Sequence, residues 1–240
     1  MTRFIAFCAI TLSLFFQPLR SEEVCDWHEQ MLVEYYRCLF IDEDRLQAAI
    51  SSARSHDLEA IELLWNYYLI VVENQQEAEH WLREGSKAGS SSMAFTLGSL
   101  LTFPDRTKVE QAEGEALLLP LAERGHLRAQ MKLGYFYEEQ SDPVASWWFE
   151  RAAWRGDTDG MSHLAGSLAK SSVCIDRWQA AIWYQVAAKF LSKGSWAQRE
   201  SSAKAERLLV TSKCSATVDV TRLSNRYVSA IKAFKSTVAE

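Results

Sequence analysis

Two combs of apolar positions run through the middle of this chain. The first reads Leu64-Trp65-x-x-Tyr68, Leu97-Gly98-x-x-Leu101, Leu133-Gly134-x-x-Tyr137 and Leu164-Ala165-x-x-Leu168. The second places Trp81, Leu117 and Trp148 eight residues ahead of Gly89, Gly125 and Gly156, and ends in Trp183-Tyr184-x-x-Ala187-Ala188 with three extra residues before Gly194. The glycines recur at intervals of 36, 31 and 38 residues. Positions i, i+3 and i+4 share one helix face. A doubled comb at this period predicts helical hairpins that stack, each too small to bury its apolar face alone.

Small residues support close helix contacts: Gly98, Gly134, Ala152, Ala153 and Ala165. A glycine just past a helix supplies the left-handed C-cap. Asp142-Pro143 reads as an N-cap followed by proline at the first helical position. Pro120 lies inside a second helix and is expected to bend or shorten it. Residues 22–55 predict N-terminal capping helices, through Trp27, Met31, Leu32, Tyr35, Tyr36 and Leu39. Residues 56–194 hold the four hairpins. Residues 195–240 predict two C-terminal capping helices with apolar faces of Leu208, Leu209, Leu223, Tyr227, Ile231 and Phe234. With 4 prolines and no long alternating pattern, a sheet has little room. Residues 1–21 read as a secretory signal: Arg3, an apolar run from Phe4 to Phe16, then Leu19-Arg20-Ser21. A run of about 13 residues is short for a bilayer span. The expectation is one elongated domain outside the cytoplasm, periplasmic or secreted.

The clearest phrases are Ala129-x-x-x-Leu133-Gly134-x-x-Tyr137 and Ala145-x-x-Trp148-Phe149-x-x-Ala152-Ala153-x-x-Gly156. They resemble the Sel-one-like repeat family, relatives of tetratricopeptide repeats, over roughly residues 56–194. The connector between the two helices departs from the family's Gly-rich turn and varies in length. The resemblance implies an all-α superhelical solenoid that binds a protein partner and is not an enzyme. Small exported members resemble periplasmic antidotes to phospholipase-type effectors, so an immunity protein is the first expectation. A periplasmic regulator or assembly factor acting on a membrane sensor or envelope complex is the second, and an enzyme a distant third.

Charge narrows the partners. Without residues 1–21 the chain holds 24 basic and 31 acidic residues, which argues against nucleic acid. It permits a basic protein partner, such as a lipase-type effector. Proximity to a membrane is allowed, with no span after signal cleavage. Four cysteines remain, Cys25, Cys38, Cys174 and Cys214, and an even count in an exported chain suggests disulfides. Three pairings exist; Cys25–Cys38 with Cys174–Cys214 is favoured because each would staple an end of the stack, where a neighbour is lacking.

Catalytic signatures are scarce. His28, His56, His80, His126 and His163 form no i, i+4 pair, and no Cys-x-x-Cys occurs, so no metal or cofactor is expected. Ser-x-x-Lys appears at Ser167, Ser201 and Ser229, but its companion elements are missing, so a solvated surface is expected. The aromatic surplus is more useful. In a stack of this family the first helices line the inner curve. Tyr67, Leu100, Tyr135 and Phe136, with Glu138 and Glu139 one turn on, are therefore the candidate partner-binding ladder.

Overall fold

The computed structural model describes residues 33, 35, 36, 39, 40, 42–211 and 219–238. Every regular element among them is helical: α1 (Glu43–Arg54), α2 (Leu58–Asn66) running into a π-helical turn (Tyr67–Val71), α3 (Gln75–Lys87), α4 (Ser91–Leu101), α5 (Lys108–Glu123), α6 (Leu127–Glu139), α7 (Val144–Trp154), α8 (Thr158–Ala169), α9 (Cys174–Phe190), α10 (Trp196–Thr211) and α11 (Val220–Val238). The hairpins are α2/α3, α4/α5, α6/α7 and α8/α9. The chain divides into two compact units between Leu97 and Gly98, inside α4. The first half of α4 presses Met93 onto Gly85 of α3, while Gly98 faces Gly114 and Leu118 of α5.

In the first unit Asp57 caps α2 by accepting the backbone N–H groups of Glu59 and Ala60. Ala60, Ile61 and Leu64 form its buried face. The π turn takes up an extra residue before α3, its last bond running from the Val72 N–H to the Tyr67 carbonyl. Trp81 and Leu82 of α3 are buried against this face.

The second unit repeats that logic with tighter packing. Gly89, Gly125 and Gly156 directly follow the C-caps of α3, α5 and α7, with φ of +95°, +90° and +83°; α9 instead ends in extended backbone at Leu191, and Gly194, at +78°, lies three residues further on. Only glycine adopts this left-handed region without a Cβ penalty. Gly134 lies under the Phe149 ring, where an added Cβ would come within 2.5 Å. Trp148 and Trp183 are 2% and 4% exposed. The core runs from Met131 through Phe149, Met161 and Leu164 to Trp183, Val186 and Ile231.

Several expectations need correction. Pro120 does not shorten its helix: α5 continues to Glu123, because the proline sits in the last turn, where only the Ala116 carbonyl loses its donor. In that hairpin Leu118, fully buried under Gly98, takes the core position expected of half-buried Leu117. Helix α7 starts at Val144 with Pro143 itself as the N-cap, which makes no side-chain cap bond; Asp142, one residue earlier, accepts the Val144 N–H at 2.9 Å from outside the helix. Leu209 and Phe234, assigned to apolar faces, are exposed, while Tyr227 fills the gap between Trp154 and Trp183 with ring centroids 4.9 and 5.2 Å away.

Two substitutions of one kind should diverge. Gly134→Ala drives a Cβ into the Phe149 ring and should lower the urea midpoint. Gly166→Ala meets only the Tyr184 hydroxyl at 3.5 Å and should raise it, by about 0.5–1 kcal/mol of helix propensity. Trp148→Ala should cost about 3–5 kcal/mol by leaving a cavity between helices. Equal midpoints for the two glycine variants would contradict this helix register.

Candidate functional site

The first helices of the third and fourth hairpins, α6 and α8, carry a polar and aromatic cluster. His163 on α8 joins Glu138 on α6 through Nδ1 and Oε2, 3.0 Å apart, and each side chain is 36% exposed. The His163 ring stacks on Phe149 at 4.8 Å and 25°. Tyr135 meets both rings edge-on, at 4.9 Å from His163 and 5.5 Å from Phe149. Burial, followed by the negative charges of Asp159, Asp157 and Glu138, holds the Tyr135 hydroxyl above the usual phenol range. The floor is apolar and the rim carries carboxylates. Such a surface offers acceptors and an aromatic edge to a donor-rich partner, with Glu139 exposed beside it.

Why these residues meet follows from the repeat. The position just before the comb leucine is Leu63, Thr96, Lys132 and His163. In the second unit this side chain reaches back to the end of the previous first helix. Lys132 places its ammonium 4.6 Å above the Phe103 ring, and His163 reaches Glu138. A second tie joins α6 to α5, where the Tyr137 hydroxyl donates to Glu115. Burial, then that carboxylate, push the Tyr137 hydroxyl well above its ordinary value. A third tie is the Ser146–Ser167 hydroxyl contact at 2.7 Å.

The six ladder residues do not form one array. Tyr135, Glu138 and Glu139 share the exposed face of α6. Phe136 does not: it is only 7% exposed, turned into the core beside Tyr137. The residue following Tyr135 on a helix is rotated about 100° away from it, so one faces the groove and the other the packing. Leu100 is half-buried in the second unit. Tyr67 belongs to the first unit, starts the π turn and packs edge-on against Phe40 at 4.8 Å and Tyr68 at 5.4 Å. His163, Lys132 and Phe103 were missed. The signal for Lys132 and His163 was the row preceding the comb leucine, visible once the hairpins are aligned; Phe103, in the turn after α4, carries no such mark.

Cys174 is disulfide-bonded at the start of α9; Cys25, Cys38 and Cys214, like the signal-type segment 1–21, lie outside the described residues. The Ser-x-x-Lys serines bond elsewhere: Ser167 to Ser146, and Ser229 to the Asn225 carbonyl. Among the described residues no group of three or more His, Cys, Asp or Glu is placed to hold a metal ion, and no helix is long and apolar enough to cross a membrane.

No family model and no curated protein matches the chain. Among solved structures it is similar to a protective antigen present in uropathogenic Escherichia coli strains that displays an SLR, or Sel-one-like repeat, fold. The identity is 15% and the TM-score 0.56, over 88% of this chain. The chain spans about half of that protein's length, 47%. The protein is thus an all-α helical-repeat solenoid of the Sel-one-like type.

Two measurements test the site geometry. Phe136→Ala should cost about 3–5 kcal/mol, as a buried aromatic does, whereas Glu139→Ala should move stability by less than about 0.5 kcal/mol. The raised Tyr137 value has a definite sign. Its contribution is complete below the unfolded phenol value of 10.0 and is lost as pH climbs toward the higher folded value. The stability gap between wild type and Tyr137→Phe should therefore narrow above pH 10, read from urea midpoints at stepped pH. A gap that widens there would show that the Glu115 bond does not hold the proton.

Proposed function

We propose that this protein is a protein-binding scaffold, exported from the cytoplasm, and that its partner is a secreted antibacterial effector of the phospholipase type, which it binds and inhibits as an immunity protein. The observation that carries the reading is the half-exposed Tyr135–Glu138–His163 cluster, with Glu139 beside it, on successive first helices of the repeat. Aromatic edges on an apolar floor are the kind of centre at which protein interfaces concentrate affinity, while rim carboxylates steer association. The formal charge of −5 favours capture of a basic surface. The segment 1–21 supports export, and the disulfide at Cys174 fits an oxidising compartment. The pairings proposed are Cys174–Cys214 and Cys25–Cys38.

Glu138→Lys combined with Glu139→Lys should weaken effector binding about tenfold or more and remove its salt dependence. The melting temperature should stay within a few degrees of wild type, since both side chains face water at least in part. The assay is inhibition of phospholipase hydrolysis by the purified chain, alongside binding measured at two salt concentrations. Wild-type protein that leaves such effectors active would remove the immunity role. Unchanged binding in the double variant would move the interface off α6.

A further inference from the structure

The two edges of the second unit are finished differently. Helix α11 packs against α9 and covers the turn that leads from α7 to α8. The Lys235 ammonium donates to the Gly156 carbonyl at 3.4 Å, and the Arg155 guanidinium sits 5.6 Å above the Phe234 ring. The opposite edge holds the turns from first to second helices. The Tyr137–Glu115 and Ser146–Ser167 bonds tie the ends of these hairpins together, so the three turns lie in sequence along that edge. Each turn presents apolar side chains to water: Phe103 and Val109, then Val144 and Trp147, then Val173 and Ile175. Val109 is 81% exposed, Ile175 58% and Trp147 48%; single exposed apolar residues are ordinary, and what sets this edge apart is that they recur at three consecutive turns.

Charge on this edge is mixed, but two cations lie against its exposed rings. The Arg151 guanidinium lies 4.7 Å above the Trp147 ring, and the Lys132 ammonium 4.6 Å above Phe103. Three nearby acids are engaged locally. Asp142 accepts the Val144 N–H, Asp176 accepts the Ser171 hydroxyl, and Glu110 accepts from Thr107 and Arg106. Asp105, Glu139 and Glu150 stay exposed. The groups directly against the rings of Phe103 and Trp147 are nevertheless the cations Lys132 and Arg151.

We propose that this edge docks on a lipid surface bearing anionic headgroups. The apolar groups project from the tips of separate turns, spaced by the helix packing distance of about 10 Å. Separate projecting tips suit a fluid interface, in which each finds its own contact; a rigid protein groove would need a continuous ridge. Tryptophan and phenylalanine with basic neighbours favour the headgroup region, where the ring enters the acyl boundary and the cation meets phosphate. Contacts of this size give peripheral, salt-sensitive attachment. The inference does not rest on the immunity reading: of the residues named for the α6–α8 cluster only Glu139 also borders this edge, and neither edge variant alters it.

Co-sedimentation of the full chain with phosphatidylcholine vesicles, with and without phosphatidylglycerol, tests the proposal. Two edge variants are compared with wild type, Phe103→Ser with Trp147→Ser, and Val173→Ser with Ile175→Ser, each checked for helicity by circular dichroism. The N-terminal apolar run is common to all three proteins, so its contribution cancels. Wild type should bind the anionic vesicles at low salt. Each folded variant should partition at least about fivefold less, the loss of two buried apolar side chains. Should the first pair fail to fold, the second decides. Equal partitioning of wild type and folded variant overturns the proposal, as does absence of wild-type binding to anionic vesicles. A wild-type dimer that the variants dissociate, with no vesicle binding, assigns the edge to a second copy and equally overturns it.

Discussion

Close approach of helix backbones is the constraint on which the second unit depends. Gly98 and Gly114 face each other so tightly that a Cβ on either would lie 3.0 or 2.9 Å from the other's carbonyl oxygen. Gly160 has the same relation to Ala152 and Ala153 of the preceding second helix, at 3.0 and 3.2 Å. Where backbones meet this closely, side chains flanking the contact must be large to fill the space beyond it, and Trp148, Phe149 and Trp183 do so. The polar cluster inherits the geometry. Glu138 and His163 come within 3.0 Å only because α6 and α8 each hold close to α7.

The tryptophans serve by volume. The indole N–H groups of Trp81 and Trp148 are buried without a hydrogen-bond partner. Each leaves a desolvation cost of about 1–3 kcal/mol unanswered. Repeat positions that tolerate such a cost are filled for shape, which is why the second hairpin manages with leucine and shifts its core to Leu118. It also explains why a tryptophan at this comb position says nothing about a ligand.

Most of the fold was legible because its signals are local. Glycine at positive φ after a helix, the Asp142-Pro143 signal that marks the start of α7 to within a residue, and apolar residues at helical spacing all act within a turn or two of themselves. What escaped was set by rotation and by partners distant in sequence. Phe136 and Tyr135 are adjacent in the chain, yet one is core and the other lines the cluster; only the position of Phe149 and His163, 13 to 28 residues on, decides which. The shortening expected of Pro120 failed for the related reason that its effect depends on distance from the helix end. His163 was weighed as a metal ligand, and its carboxylate partner lies one hairpin earlier.

The two kinds of turn differ in how freely they vary. Turns after second helices occupy three residues in the first three hairpins, at 88–90, 124–126 and 155–157, each holding a left-handed glycine. Turns after first helices in the second unit run over six residues at 102–107 and over four at 140–143 and 170–173. Through the first three hairpins, then, length is held fixed at one edge and varies at the other. A residue added after a first helix would lie beside the exposed Phe103, Trp147 or Ile175. It would reshape that edge and leave the helix spacing set by the glycine turns unchanged.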